Sequence, residues 1–200
     1  MIYLASRSPR RAEILRQLAV PFEVILADVD ETPLPQEQAL DYVQRVALLK
    51  AEAGWAAMLA QGLPQRPVLA ADTTVSWQGQ ILAKPIDEAD ACRMLSSLSG
   101  AWHEVHTALA LRHGEQLLTA LSSTRVLMKA LSAAEIAAYV ASKEPMDKPG
   151  AYGIQGLAGL FVQQIQGSYS GVMGLPIFEL GQLLSPFGLS PLQVGLSPLK

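Results

Sequence analysis

Apolar positions recur along this chain with two periods, and the switches between them outline its elements. "IYLA" at positions 2–5 has the pattern of a short buried strand, and Ser8 followed by Pro9 supplies an N-cap and a proline at the first helical position. Ile14, Leu15 and Leu18 lie on one helical face and "VPFEVIL" reads as a second strand, so the chain opens β-α-β. A long helix is predicted from about Gln36 to Gln61, with Leu40, Val43, Val46, Ala47, Ala53 and Ala57 on one face. Lys50 falls on that same face. "PVLAADTTV" is a strand that turns polar at Asp72, and "WQGQ" marks a hairpin turn before "ILAKP".

Further on, "DEADACRMLSSLSG" has an acidic start, apolar Ala91, Met94, Leu95 and Leu98, and a glycine stop, which together predict a helix. "AWHEVHTALALRH" and "LLTALSSTRVLMK" flank "GEQ" as a long hairpin. "SAAE" at 132–135 has the form of a capping box for a helix through about Ser142. "KEPMDKPGAYGIQGLAG" shows no clear period and is too long for a mere connector, which points to a functional segment. "LFVQQI" resumes a strand, "GSYSGVMGLP" reads as a second glycine-rich turn, and "IFELGQLL" is a last helix. The chain from Ser185 onward is expected to fray. The division that follows is one domain over 1–185 with a flexible tail over 186–200, of mixed α/β class.

Composition narrows the function. The 200 residues are half apolar, enough for a substantial core. The formal net charge of −3 speaks against broad non-specific binding to nucleic acid, so any anionic partner must be met locally. The single cysteine, Cys92, sits in an apolar helical pattern and reads as a buried thiol. No positively charged leader precedes "MIYLA", and no run approaches the roughly 18–20 apolar residues of a membrane span. A cytoplasmic protein with no membrane partner is the expectation, and a homodimer is entertained.

The candidate chemistry starts at "SRSPRRA". A helix N-terminus after a strand attracts phosphate or carboxylate, and Arg10 and Arg11 suit phosphate better than lysines would. Without an anion they oppose the helix dipole by about 0.3–1 kcal/mol each, which solvent could absorb, so two surface arginines remain the alternative. Neither a Walker motif nor G-x-G-x-x-G accounts for the stretch. Asp72, with Thr73 and Thr74 after it, stands where a buried strand emerges; it is either a catalytic group or a strand-end cap. Glu31 follows Asp28 and Asp30 in what could equally be a solvated turn. Two carboxylates brought together favour a cation, and Mg²⁺ or Mn²⁺ bridges phosphates, so a metal–phosphate site is the natural hypothesis. Lys50, Lys84 and Lys148 could supply its cationic part or be ordinary surface lysines. "HEVH" is no zinc motif, since His103 and His106 fall on opposite faces of a strand, and "GSYSG" lacks the partners of a serine hydrolase.

Taken in order, "LASRSPRRAEIL", "AADTTV", "LAKPIDEADA", "LSGAWHEVHTAL" and "EPMDKPGAYGIQGLAGLFVQQIQGSYSGVMGLP" closely resemble the Maf-like nucleoside triphosphate pyrophosphatases from about Tyr3 to Leu184. The resemblance implies a two-lobed fold akin to inosine triphosphatase, with a central mixed twisted sheet and a cleft between the lobes. It further implies cleavage of a nucleoside triphosphate to the monophosphate and pyrophosphate with a divalent metal, Mg²⁺ or Mn²⁺. Asp72 would be the proton acceptor, and Glu31 would help Asp72 hold the metal. Lys50 and Lys84 match the family's lysines, Lys84 stabilising the leaving group. Ser6, Arg10 and Arg11 would meet the phosphate tail, with Lys148 beside them. Arg10, Thr73 and Gln155 match positions tied to substrate choice. "DKPGAYGIQG" is similar to the branch that prefers dTTP and UTP over 7-methyl-GTP, and Gln155 has an amide able to read a pyrimidine edge. Nucleotide-pool house-cleaning is the implied role. The rival of another class is a nucleotide-binding regulator of septum formation and cell division.

Overall fold

The computed structural model describes residues 1–190 and 192. Its strands are β1 (Ile2–Ala5), β2 (Phe22–Val24), β3 (Val68–Trp77), β4 (Gln80–Leu82), β5 (Trp102–His113), β6 (Gln116–Met128) and β7 (Val162–Gln166). They form one seven-stranded sheet in the order β2-β1-β3-β5-β6-β7, with β4 paired to the far end of β3. β1 runs parallel to both β2 and β3, and every other pairing is antiparallel. The helices are α1 (Pro9–Gln17), α2 (Ala39–Ala60), α3 (Glu88–Leu98), α4 (Ala133–Ala141), α5 (Tyr169–Met173) and α6 (Ile177–Leu184). The expected mixed α/β class is what the chain adopts. Among the described residues no helix is long and apolar enough to cross a membrane.

Period-two alternation in the long strands divides the interior. On one face of the sheet Leu69, Ala71, Leu109 and Leu111 pack with Ile2, Leu4, α1 and α6. Farther along the same faces of β3 and β5, Val75 and Val105 join a second core with α3 and α4. On the opposite face Tyr3, Ala5, Val68, Ala70, Ala108 and Ala110 pack under α2. Two cores thus share one face of continuous strands, and a cleft separates them.

Local chemistry explains most boundaries. Pro9 starts α1 as expected, but the Ser8 hydroxyl caps no backbone N–H; the Ser8 amide instead donates to Ser6 Oγ at 3.1 Å. The capping box of α4 forms in full, with Ser132 Oγ accepting from the Glu135 N–H and the Glu135 side chain accepting from the Ser132 N–H. α2 begins at Ala39 rather than Gln36, because Gln36 adopts a left-handed conformation, φ 61°. Its buried stripe holds Val43, Val46 and Ala47 as expected and adds Tyr42, Ala51, Trp55 and Met58, whereas Leu40 is exposed and Ala53 and Ala57 are half-buried. "GSYSGVMGLP" is not simply a turn. Ser168 Oγ accepts from the Gly171 N–H to start α5, and Gly174, at φ 109°, ends it. At the C-terminal end Phe187 stacks edge-on against His113 and the Leu189 amide bonds to the Leu184 carbonyl, so the chain stays docked past Ser185. Most of the expected tail, Pro191 and 193–200, lies outside the described residues.

One close approach matters for the site. A Cβ added at Gly54 of α2 would stand 2.8 Å from the Ala5 Cβ and 2.9 Å from the Val68 Cγ1, so the helix lies nearer the sheet than a side chain would allow. Gly54→Ala gains about 1 kcal/mol of helix propensity but overpacks this contact at a cost of about 1–3 kcal/mol. A lowered midpoint of urea unfolding is the expected outcome; an unchanged or raised midpoint would show that α2 is free to move away.

Candidate active site

The site exists because β3 is open along part of one edge. β1 accompanies β3 only to Ala5, opposite Ala70, and β4 joins only at Leu82, opposite Val75. Ala71–Thr74 therefore have a strand neighbour on the β5 side alone. A cleft of about 620 Å³ occupies the opening, between the loops that follow β1 and β2 on one side and the segment from Asp147 to Gln155 on the other. It lies beyond the carboxyl end of β1, where open α/β sheets commonly receive ligands.

Successive side chains of a strand point to opposite faces, and the cleft wraps around the open edge to meet both. Asp72 points toward α2. The close seating of α2 lets Lys50, one turn before Gly54, reach it: Lys50 Nζ lies 2.8 Å from Asp72 Oδ1 and 3.0 Å from Glu31 Oε2. The Asp72 and Lys50 side chains are 8% and 15% exposed, against 45% for Glu31, so the inner pair is held and the outer carboxylate is accessible. The Glu31 backbone is fixed in turn, its carbonyl accepting from the Tyr42 hydroxyl at 3.0 Å. Burial, and then the negative charges of Asp72 and Glu31, push the Tyr42 phenol well above its ordinary value. Asp72 Oδ2 is buried and has no hydrogen-bond partner among the described residues.

Thr73 points to the other face. Its Oγ1 lies 2.9 Å from Thr107 Oγ1, directly across on β5, and Thr107 donates to the Gly171 carbonyl at 2.8 Å. Arg11 closes the network: Nη2 donates to Thr73 Oγ1 at 3.1 Å, Nη1 to Ser6 Oγ at 3.2 Å and Nε to the Gly174 carbonyl at 2.8 Å. Three of its five donors are thereby committed, and two remain. Burial lowers the Arg11 pKa, opposed by the charge of Asp72. Arg10 and Arg11 at the start of α1 do stand in one cleft, as the sequence suggests, but with different surroundings: Arg11 is buried and built into the wall, while the half-buried Arg10 faces Asp147 across the mouth at 3.9 Å.

Of the other expected residues, Lys84 and Gln155 line the cleft from exposed positions. Lys148 also lines it, donating to Asp147 Oδ1 at 2.6 Å and to the Glu144 carbonyl at 2.5 Å. Burial pushes the Asp147 carboxyl up, but Lys148 and Arg10 together hold it below its usual range. All ten residues singled out from the sequence thus border one cavity. Tyr42, Asp147 and the Gly174 carbonyl were not anticipated, and only charge spacing in "MDK" hinted at any of them. The histidines stay apart. His103 bonds through Nε2 to the Tyr152 hydroxyl at 2.7 Å, and burial brings its pKa down to about 4; His106 bonds to Ser123 on the opposite face.

A divalent metal can be tested against these residues. Among the described residues no group of three or more His, Cys, Asp or Glu gathers as a self-sufficient metal site. Asp72 and Glu31 nonetheless converge on one lysine, and the unpartnered Asp72 Oδ2 is a buried oxygen lacking a donor. That suits a hard cation taking one or two carboxylates and completing its shell with water and phosphate, as Mg²⁺ does.

A model of Maf-like proteins matches residues 1–187. The protein of Chromobacterium violaceum named dTTP/UTP pyrophosphatase is 57% identical over 187 residues, 94% of each chain. Those of the same name from Methylobacillus flagellatus and Aromatoleum aromaticum are 55% and 52% identical, each over 94% of this chain, and over 94% and 95% of their own. The solved Ham1 protein of Staphylococcus aureus is a fainter likeness, with TM-score 0.45 and 16% identity over 64% of this chain and 71% of that one. With a family model spanning nearly all of its length and relatives sharing more than half of its residues, the chain belongs to the Maf-like family.

Proposed function

We propose that the protein is a nucleoside triphosphate pyrophosphatase that hydrolyses dTTP and UTP to the monophosphate and pyrophosphate. The observation that carries the reading is the polarity of the cleft, with paired carboxylates on Lys50 at one end and Arg10, Arg11, Lys84 and Lys148 around the rest. The name borne by relatives that share more than half of its residues supports the choice of substrate.

The phosphate tail is met by Ser6, Arg10, the remaining Arg11 donors and Lys84, whose charges offset the charge that builds on the departing pyrophosphate. Asp72, held at Oδ1 by Lys50, takes the proton from water as the water oxygen attacks the α-phosphorus and the bond from that phosphorus to the α–β bridging oxygen breaks, the bridging oxygen leaving with pyrophosphate. Glu31 and Asp72 would hold Mg²⁺ or Mn²⁺, which when bound neutralises phosphate charge. Thr73, locked by Arg11 and Thr107, shapes the floor, and Gln155 presents its amide to the base. Nucleotide-pool house-cleaning and a cytoplasmic location belong to the same proposal.

Pyrophosphate release across a nucleotide panel, with Mg²⁺, with Mn²⁺ and with a chelator, tests the class. Release from dTTP and UTP that ends on chelation is expected; no release from any nucleotide would leave binding without hydrolysis, as the regulator reading requires. Asp72→Asn should lower kcat by about 10²- to 10⁴-fold. Nucleotide binding by calorimetry should persist, because Glu31 still pairs with Lys50; full turnover would remove Asp72 from its role. Gln155→Ala should shift the ratio of dTTP to 7-methyl-GTP hydrolysis by about 3- to 10-fold, the scale of one lost hydrogen bond, and an unchanged ratio would take base reading away from Gln155.

A further inference from the structure

The segment that carries Gln155 is held in an unusual way. Residues 153–156 form a tight turn, closed by the Gly156 N–H bonding to the Gly153 carbonyl at 3.0 Å, with Ile154 and Gln155 at its centre. Ile154 is buried and Gln155 is exposed to the cleft. A turn of this size has no core of its own, so its aim depends on what grips its two ends.

Both ends lead to one carboxylate. At the far end the Leu157 N–H donates to Glu144 Oε2 at 2.9 Å. At the near end the Gly153 N–H donates to the Tyr139 hydroxyl at 3.3 Å, and that hydroxyl donates to Glu144 Oε1 at 2.9 Å. Each Glu144 oxygen thus serves one end of the turn, and the Tyr139 ring is fixed edge-on against Phe161. The turn is wrapped tightly on the group it binds: a Cβ added at Gly156 would collide with the Glu144 carboxylate and displace it. Glu144 also links to the cationic rim, since its carbonyl accepts from Lys148 Nζ and the Lys148 stem lies against Gly153. Glu144 does not line the cleft.

We propose that Glu144 is the positioning residue for base selection: its carboxylate ties both ends of the 153–156 turn and thereby sets where Gln155 meets the nucleobase. The inference rests on the reading of Gln155 as the base contact. The Leu157 N–H can only donate, whereas the Tyr139 hydroxyl can also accept, so a glutamine turned with its oxygen toward Leu157 could keep both ties; Glu144→Ala removes both. The turn then samples other positions, and apparent affinity falls with the fraction of molecules still in the competent one.

The test compares Glu144→Ala, Tyr139→Phe and Gln155→Ala in the full chain. Steady-state kinetics with dTTP, UTP and 7-methyl-GTP are read alongside amide hydrogen exchange at Gly153 and Leu157. For Glu144→Ala, KM for dTTP should rise roughly 3- to 10-fold with kcat within about two-fold, and the dTTP to 7-methyl-GTP ratio should move the same way as in Gln155→Ala. Exchange at Leu157 should quicken. Tyr139→Phe, which removes only the Gly153 arm and keeps the ring packing, should give a smaller change of the same kind and covers the case in which Glu144→Ala folds poorly. Wild-type ratio and exchange in Glu144→Ala, with a shifted ratio in Gln155→Ala, overturn the inference. If Gln155→Ala leaves the ratio unchanged, base reading by Gln155 fails instead, and exchange alone decides the tie: quickening upholds it and wild-type rates overturn it.

Discussion

A strand with a neighbour on one side only is the constraint on which this structure turns. The unpaired edge of a sheet must be paired, covered or given a use. Here it amounts to Ala71–Thr74, bounded by the end of β1 and the start of β4. The opening lets a single ligand touch both faces of β3, and the one-residue step between Asp72 and Thr73 then separates the proton-transfer side from the recognition side. A slip of one residue in this register would exchange the two.

The charges in the cleft fall into two energetic classes. Lys50 and Asp72 are largely buried, and removing one partner of such a pair costs about 3–5 kcal/mol, so the pair fixes geometry whether or not a ligand is present. Arg10 with Asp147 is an exposed contact at 3.9 Å, of a kind worth about 0–1 kcal/mol. An incoming phosphate can replace Asp147 as the partner of Arg10 with little loss. The rim therefore adapts where the acid–base centre does not.

What the sequence disclosed tracks how local each cause is. The Ser132–Glu135 box and the Pro9 start are written in neighbouring residues, and the structure has both; Asp72, by contrast, lies buried in the middle of β3 and not where the strand emerges, because the strand runs on to Trp77 against β5. The exact edge of the α2 stripe is not, because Leu40 fits the same face as Val43 by spacing and only the seating of the helix on Ala5 and Val68 leaves it exposed. α5 spans five residues, too few to show a period. The site residues were found from motif resemblance and residue type, yet the double duty of Arg11 was not legible: its Nε partner is the carbonyl of Gly174, 163 residues away. Glu144 was hidden for the same reason, since an acid in a charged, proline-rich run looks solvated until the fold brings Tyr139 and Leu157 to it.

The two cores beside the cleft sit on shared strands, with no linker between them. β5 and β6 are paired without interruption from Trp102 opposite Leu127 to His113 opposite Gln116, and β3 is laddered to β5 across the floor from Val68 to Ser76. Swinging one lobe against the other would have to bend this plate and stretch several ladder bonds at once. Mechanically the molecule is a stiff beam with soft fittings: the floor under a ligand is rigid from the outset, and compliance is left to the segments that arch over it.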